Sequence, residues 1–111
     1  MDISFRTKKH AKVCNSDKEL LKSYGKQNAK VIKTRLAMLK SAGNLAQIPK
    51  EKPVKLHQLI GQGKGQYAVN LAGGFRLVFV PSNHPVPRTD EGGLDEVQIT
   101  EIKIMDISNY H

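Results

Sequence analysis

This chain has little with which to staple, stack or anchor itself. Across 111 residues there is one cysteine, Cys14, which excludes an internal disulfide framework and leads us to expect a reducing compartment, the cytoplasm. No stretch approaches the roughly 20 apolar residues of a membrane span. Met1-Asp2-Ile3 opens without the charged-then-apolar pattern of an export signal, so neither insertion nor export is expected. Aromatic residues make up 5% of the chain, too few to display the stacking platform of a simple RNA-binding module. Acidic residues are scarce as well: 10 Asp+Glu stand against 18 Lys+Arg, for a formal charge of +8 and a pI near 9.8. That excess favours nucleic acid or an acidic protein as partner, although the same charge also serves solubility.

Metal-ligand spacing is missing too. His10, His57, His84, His111 and Cys14 fit no compact ligand set, and neither a metal nor any other cofactor is expected. Cys14 with His10 four residues before it does not make a nucleophile pair; a lone cysteine reads as a small hydrophobe. Gly61-Gln62-Gly63-Lys64-Gly65 lacks the Lys-Ser/Thr ending of a P-loop and the third glycine of the dinucleotide fingerprint, and it precedes a strand rather than a helix. It is read as a flexible turn whose Lys64 is available to a phosphate.

What is present organises around residues 55–80. Two short apolar runs, Gln66 to Leu71 and Phe75 to Val80, are separated by Ala72-Gly73-Gly74 and predict a β-hairpin. Alternation places Arg76 on the opposite face from Phe75 and Leu77, either as an exposed edge charge or as a placed functional group. Ahead of this, Asp2 to Thr7 alternates and predicts a short opening strand. The basic run Lys8, Lys9, His10 and Lys12 reads as a solvated surface or as a phosphate-contacting patch. Ser16-Asp17-Lys18-Glu19 is a capping box that starts a helix carrying Leu20, Leu21 and Tyr24. After Gly25 a longer helix runs to Ser41, with Val31, Ile32, Leu36, Met38 and Leu39 as its apolar stripe and Lys26, Lys30, Lys33 and Lys40 mostly elsewhere.

Pro49 and Pro53 make residues 44–53 a connector with one helical turn at most, and Ser82 to Gly93 a long loop, expected to be mobile. Asp95 to Ile107 alternates and predicts the closing strand, with a phase slip near Thr100 and Glu101 that suggests a bulge. The expectation is a single α+β domain over residues 1–111, with an N-terminal strand and a helical hairpin covering one face of an antiparallel sheet. The other face is left partly open, and the polar residues on it are the ones to inspect.

Those polar groups are His57, Lys64, Arg76, Tyr110 and His111. Cleaving RNA without a metal requires a base for the 2′-hydroxyl, an acid for the leaving 5′-oxygen and cations for the charge that builds on phosphorus. Histidine and arginine suit those tasks. Each also has an ordinary reading: His57 as a satisfied core histidine, Tyr110 as a packing residue, His111 as a frayed end.

Four segments in order, Leu56-His57-Gln58-Leu59-Ile60-Gly61, Gly65-Gln66-Tyr67, Phe75-Arg76-Leu77-Val78-Phe79 and Asn109-Tyr110-His111, resemble the HigB-type branch of the RelE/ParE toxin superfamily, the plasmid maintenance killer proteins. The resemblance covers the last half of the chain by motif and the first half by layout. It implies a microbial RNase-like RelE/ParE toxin fold and a ribosome-dependent mRNA endonuclease that inhibits translation. It further implies neutralisation by a HigA-like helix-turn-helix antitoxin, through which alone operator DNA would be contacted. By matching position it implies catalytic roles for His57, Arg76, Tyr110 and His111, with Lys8, Lys9, Lys55, Lys64 and Asn109 as RNA contacts. Ile60 stands where the family often has a lysine, no basic residue lies between Ala68 and Ala72, and Asn109 replaces the usual aspartate. The alternative is a ParE-like toxin that binds DNA gyrase and does no RNA chemistry.

Overall fold

Strand β1 (Asp2–Phe5) opens the chain, and Thr7 then stops it by capping a helix: its hydroxyl accepts from the His10 amide at 3.1 Å. A computed structural model describes residues 1–61 and 65–109. The basic run Lys8, Lys9, His10 and Lys12, for which the sequence predicts no element, lies on the short helix α1 (Lys8–Cys14). Only Cys14 is buried there, with Val13 half-buried beside it, so too few apolar positions recur for a helical period to show. Helix α2 (Asp17–Ser41) begins at Ser16, whose hydroxyl accepts from the Glu19 amide at 3.2 Å. The expected return bond from Glu19 is replaced, because the Ser16 amide donates to the Val13 carbonyl at 3.3 Å.

Gly25 interrupts α2 with φ 81° and ψ 171°, a backbone region essentially restricted to glycine. The expected pair of helices is therefore two stretches of α2, with α1 added before them. Leu20, Ile32 and Leu39 are fully buried, whereas Leu21 is 52% exposed and does not join the apolar side assigned to it. Lys26, Lys30, Lys33 and Lys40 all face solvent. A 3₁₀ turn at Leu45–Gln47 is the one helical turn expected in the connector.

Five strands follow the order β1, β5 (Glu101–Asn109), β4 (Phe75–Pro81), β3 (Tyr67–Asn70) and β2 (His57–Gln58). All neighbours are antiparallel except β1 and β5, so the sheet is mixed rather than purely antiparallel. The helices carry the chain from β1 to β2 on the opposite edge, and three antiparallel strands bring it back, so β5 arrives beside β1 in the same direction. The core lies between α2 and one sheet face, where Tyr67, Val69, Leu77, Phe79, Ile102, Ile104 and Ile107 meet Leu20, Ile32 and Leu39.

The closing strand starts six residues later than alternation suggests and runs two further. Glu96–Gln98 is instead a 3₁₀ turn, closed by the Gln98 and Ile99 amides onto the Asp95 and Glu96 carbonyls; Val97 is 64% exposed and Ile99 fully buried. The bulge falls at Met105 rather than near Thr100: Val78 pairs with Asp106 but Phe79 with Ile104, leaving Met105 without a counterpart on β4. This is why Ile104 and Ile107, three apart, both point into the core. No described helix is long and apolar enough to cross a membrane.

A Cβ at Gly25 would meet nothing within 4 Å, so Gly25→Ala tests the backbone alone. We expect it to lower stability by about 1–3 kcal/mol, read as a lower urea midpoint at unchanged slope. An unchanged midpoint would show that α2 straightens there without cost.

Candidate functional site

Residues opposite one another in a ladder share a face. Val69, Leu77 and Ile107 form one row into the core, and the next row, Asn70, Arg76 and Ser108, points the other way. Ala68, Val78 and Asp106 share that second face, and His57 joins them through its pairing with Ala68. The helices therefore leave open the face that carries the arginine and the histidine. Arg76 is half-buried in the floor of this face, on a strand with neighbours on both sides, so of its two sequence readings the exposed edge charge does not apply.

Two clefts flank Arg76. The first, of about 510 Å³, is lined by Lys55, His57, Asn70, Leu71, Phe75 and Arg76, among others. His57 is oriented there by its own backbone neighbour, its Nδ1 lying 2.8 Å from the Lys55 carbonyl oxygen. A carbonyl only accepts, so Nδ1 carries the proton and the neutral ring presents its lone pair at Nε2. Lys55 makes this contact from a left-handed backbone (φ 49°), held by its amide donating to the Glu51 carbonyl at 2.8 Å. The second cleft, of about 310 Å³, runs from Arg76 towards β1 and is lined by Arg6, Gln66, Met105, Asp106 and Ser108 in addition.

The histidine strand is short and is braced from below. Gln58 Nε2 donates to the Tyr67 hydroxyl at 2.9 Å, that hydroxyl donates to Glu96 Oε2 at 3.0 Å, and Glu96 Oε1 pairs with Lys50 Nζ at 2.9 Å. Burial, and then the hydrogen bond and charge of Glu96, push the Tyr67 phenol up to about 12, so it stays a donor at neutral pH. From the helix side, Asn28 accepts from the Ala72 amide at 2.9 Å and donates to the Ala72 carbonyl at 3.2 Å. Arg35 Nε donates to the Asn70 carbonyl at 2.9 Å. These contacts fix the β3–β4 turn against α2 and with it the register that places Arg76.

Of the residues singled out in the sequence, His57, Lys55 and Arg76 meet in one cleft. Lys8 and Lys9 lie exposed on α1 and line neither cleft; Lys9 borders a separate cavity with His10, Cys14 and Tyr24. Asn109 pairs with Phe75, one position beyond the Arg76 row. Lys64, Tyr110 and His111 lie outside the described residues. Cys14 is buried, and burial raises its thiol to about 11, which keeps it protonated and unreactive at neutral pH. Among the described residues no three His, Cys, Asp or Glu side chains gather to hold a metal ion.

Arg6, Asp106 and Ser108 were not singled out in the sequence. Alternation back from the closing motif would have placed Asp106 and Ser108 beside Arg76, but Arg6 reaches the cleft only because β1 joins the sheet next to β5.

No family model matches the chain, and no curated protein matches it significantly. Among solved structures it is similar to a chain of the YoeB-YefM complex from Staphylococcus aureus. The TM-score is 0.54 at 19% identity, over 100% of this chain and 97% of that one. At that identity the likeness is one of fold, an α+β fold extending over the whole chain.

The Tyr67 contacts carry a pH signature. A phenol whose folded value is about 12 against an ordinary 10.0 contributes stability that is whole below 10 and lost as pH rises towards 12. Tyr67→Phe removes the hydroxyl between Gln58 and Glu96 and should cost about 1–3 kcal/mol at neutral pH. The gap between wild type and variant in urea unfolding should narrow from pH 9.5 to 11.5. A constant gap would mean that the hydroxyl does not depend on its proton.

Proposed function

We propose that this chain is the toxin of a type II toxin–antitoxin pair, a HigB-like endoribonuclease that cleaves mRNA on the ribosome and so inhibits translation. The observation that carries the reading is the cleft shared by His57 and Arg76, with the imidazole Nε2 left as the basic atom. RNA supplies its own nucleophile there. His57 Nε2 takes the proton of a 2′-hydroxyl, O2′ attacks the adjacent phosphorus, and the P–O5′ bond breaks to leave a 2′,3′-cyclic phosphate. Negative charge builds on the non-bridging oxygens during that step, and the forked donors of Arg76 are suited to offset it. The leaving 5′-oxygen needs a proton, which we assign to Tyr110 or His111 by their place in the closing motif.

Lys55 lines the same cleft and is assigned to the RNA backbone, with Lys64 and Asn109 as further contacts near the motif and Lys8 and Lys9 as contacts on α1. The strongly basic surface suits two partners in turn, ribosome-bound mRNA when the toxin is free and an acidic surface of a HigA-like antitoxin when it is held.

The test is primer extension on mRNA after brief expression. Wild type should give cuts inside translated codons. His57→Gln should lower cleavage by about 10²–10⁴-fold, as expected for loss of a general base, and Arg76→Lys should retain the charge but not the fork and fall markedly. A chain truncated before His111 should lose the cuts if the closing motif supplies the acid. Growth arrest with intact mRNA would overturn the nuclease reading in favour of gyrase binding, and cuts that survive Arg76→Lys undiminished would remove Arg76 from the chemistry.

A further inference from the structure

The 310 Å³ cleft on the β1 side of Arg76 holds a second arginine that the reading above does not use. Arg6 follows β1 and continues its pairing, with its amide donating to the Ile104 carbonyl at 2.9 Å. Its Nε donates to the Met105 carbonyl at 3.1 Å. Met105 is the bulged residue of β5, opposite no residue of β4, so its carbonyl is available to orient a side chain. The contact uses one donor of the guanidinium and leaves the terminal pair directed by a fixed anchor. Arg6 and Arg76 stand on either side of β5, two strand spacings apart, or on the order of 10 Å between backbones.

One carboxylate shares this cleft, and one of its oxygens is engaged. Asp106 Oδ1 accepts from the Ile107 amide at 2.9 Å and lies 3.7 Å from His10 Nε2. An anion entering the cleft therefore meets two guanidinium groups at the walls, the amide of Gln66 and the hydroxyl of Ser108. Neutral small molecules have no evident reason to sit there. A phosphodiester does, because a forked donor held in place matches its two free oxygens.

Resting on the RNA-cleaving reading, we propose that Arg6 binds the backbone phosphate next to the scissile one, so that single-stranded RNA crosses the open face from the His57 cleft over Arg76 to the β1 edge. Arg6 is a binding residue in this arrangement and takes no part in bond breaking. The scissile phosphate is held at Arg76 while its neighbour is held at Arg6, which resists sliding of the strand.

The test is binding of a short, non-cleavable 2′-O-methyl RNA to the full chain, followed by fluorescence anisotropy across a range of salt concentrations. Each phosphate contact on a single strand contributes about 0.7 to the slope of log affinity against log salt. Arg6→Gln should reduce that slope by about one such contact, Arg6→Lys should keep the slope while binding more weakly, and Asp106→Asn should bind more tightly than wild type. Lys18→Gln, on α2 and outside both clefts, should leave the slope as it is. A wild-type slope in Arg6→Gln, or an equal drop in Lys18→Gln, would overturn the Arg6 site while leaving the nuclease reading intact. Absence of RNA binding by wild type at every salt would also overturn the Arg6 site, while the ribosome-dependent nuclease reading stands or falls with the cuts in translated mRNA. If Arg6→Gln unfolds for want of its bond to Met105, Arg6→Lys and Asp106→Asn decide the question: a slope lost in the first, or unchanged affinity in the second, counts against the site.

Discussion

The pairing of β4 with β5 is the constraint from which the rest follows. It is the longest ladder in the sheet, running from Phe75 opposite Asn109 to Pro81 opposite Ile102. Leu77 and Phe79 meet Ile107 and Ile104 on the side that α2 covers, and each buried side chain of this size contributes about 1.5–3 kcal/mol. Because side chains alternate, burying those positions obliges Arg76, Asp106 and Ser108 to face the other way. The polar face is thus a by-product of the apolar one. A slip of one residue would exchange them and bury the arginine beneath the helices, so the stability of the core and the position of the site cannot be separated.

The sheet would still be free to tilt against α2 if packing alone held it, since apolar contacts have no direction. Asn28 and Arg35 remove that freedom by bonding to the backbone at the β3–β4 turn, Asn28 through both atoms of its amide. Asn28 is buried with both ends of its amide bonded, and replacing it would take from the Ala72 amide its acceptor. The bulge at Met105 does the complementary work on the other side of β4. It lets Ile104 and Ile107 both reach the core while turning a carbonyl towards Arg6.

Much of this was legible in the sequence where a single local rule decides. The hairpin, the Ser16 cap, the break at Gly25 and the opposition of Arg76 to its apolar neighbours each follow from a short window. What escaped depends on partners distant in the chain. Helix α1 has only Val13 and Cys14 to declare it. The Glu96–Gln98 turn has the same alternating composition as the strand that follows, so pattern alone continues the strand backwards. The bulge site depends on which residue of β4 lies opposite, and Tyr67 looks like any strand aromatic until Glu96 is brought beneath it. Of the cleft residues, His57 and Arg76 are singled out by residue type and motif, whereas Arg6 is 70 residues from Arg76 and joins it only through a parallel pairing that no local rule announces.

The segment between β4 and β5 is secured at both ends and bonded to itself between them. At one end Asn83 accepts from the Thr100 and Glu101 amides at 3.1 and 3.2 Å, and at the other Glu96 is tied to Tyr67 and Lys50. Within it, Arg88 and Leu94 form an isolated bridge that closes the excursion upon itself. Such a loop can lengthen, shorten or accept a foreign peptide without moving the open sheet face, which makes it the natural place for lineages of this fold to diverge and for an epitope or reporter to be grafted.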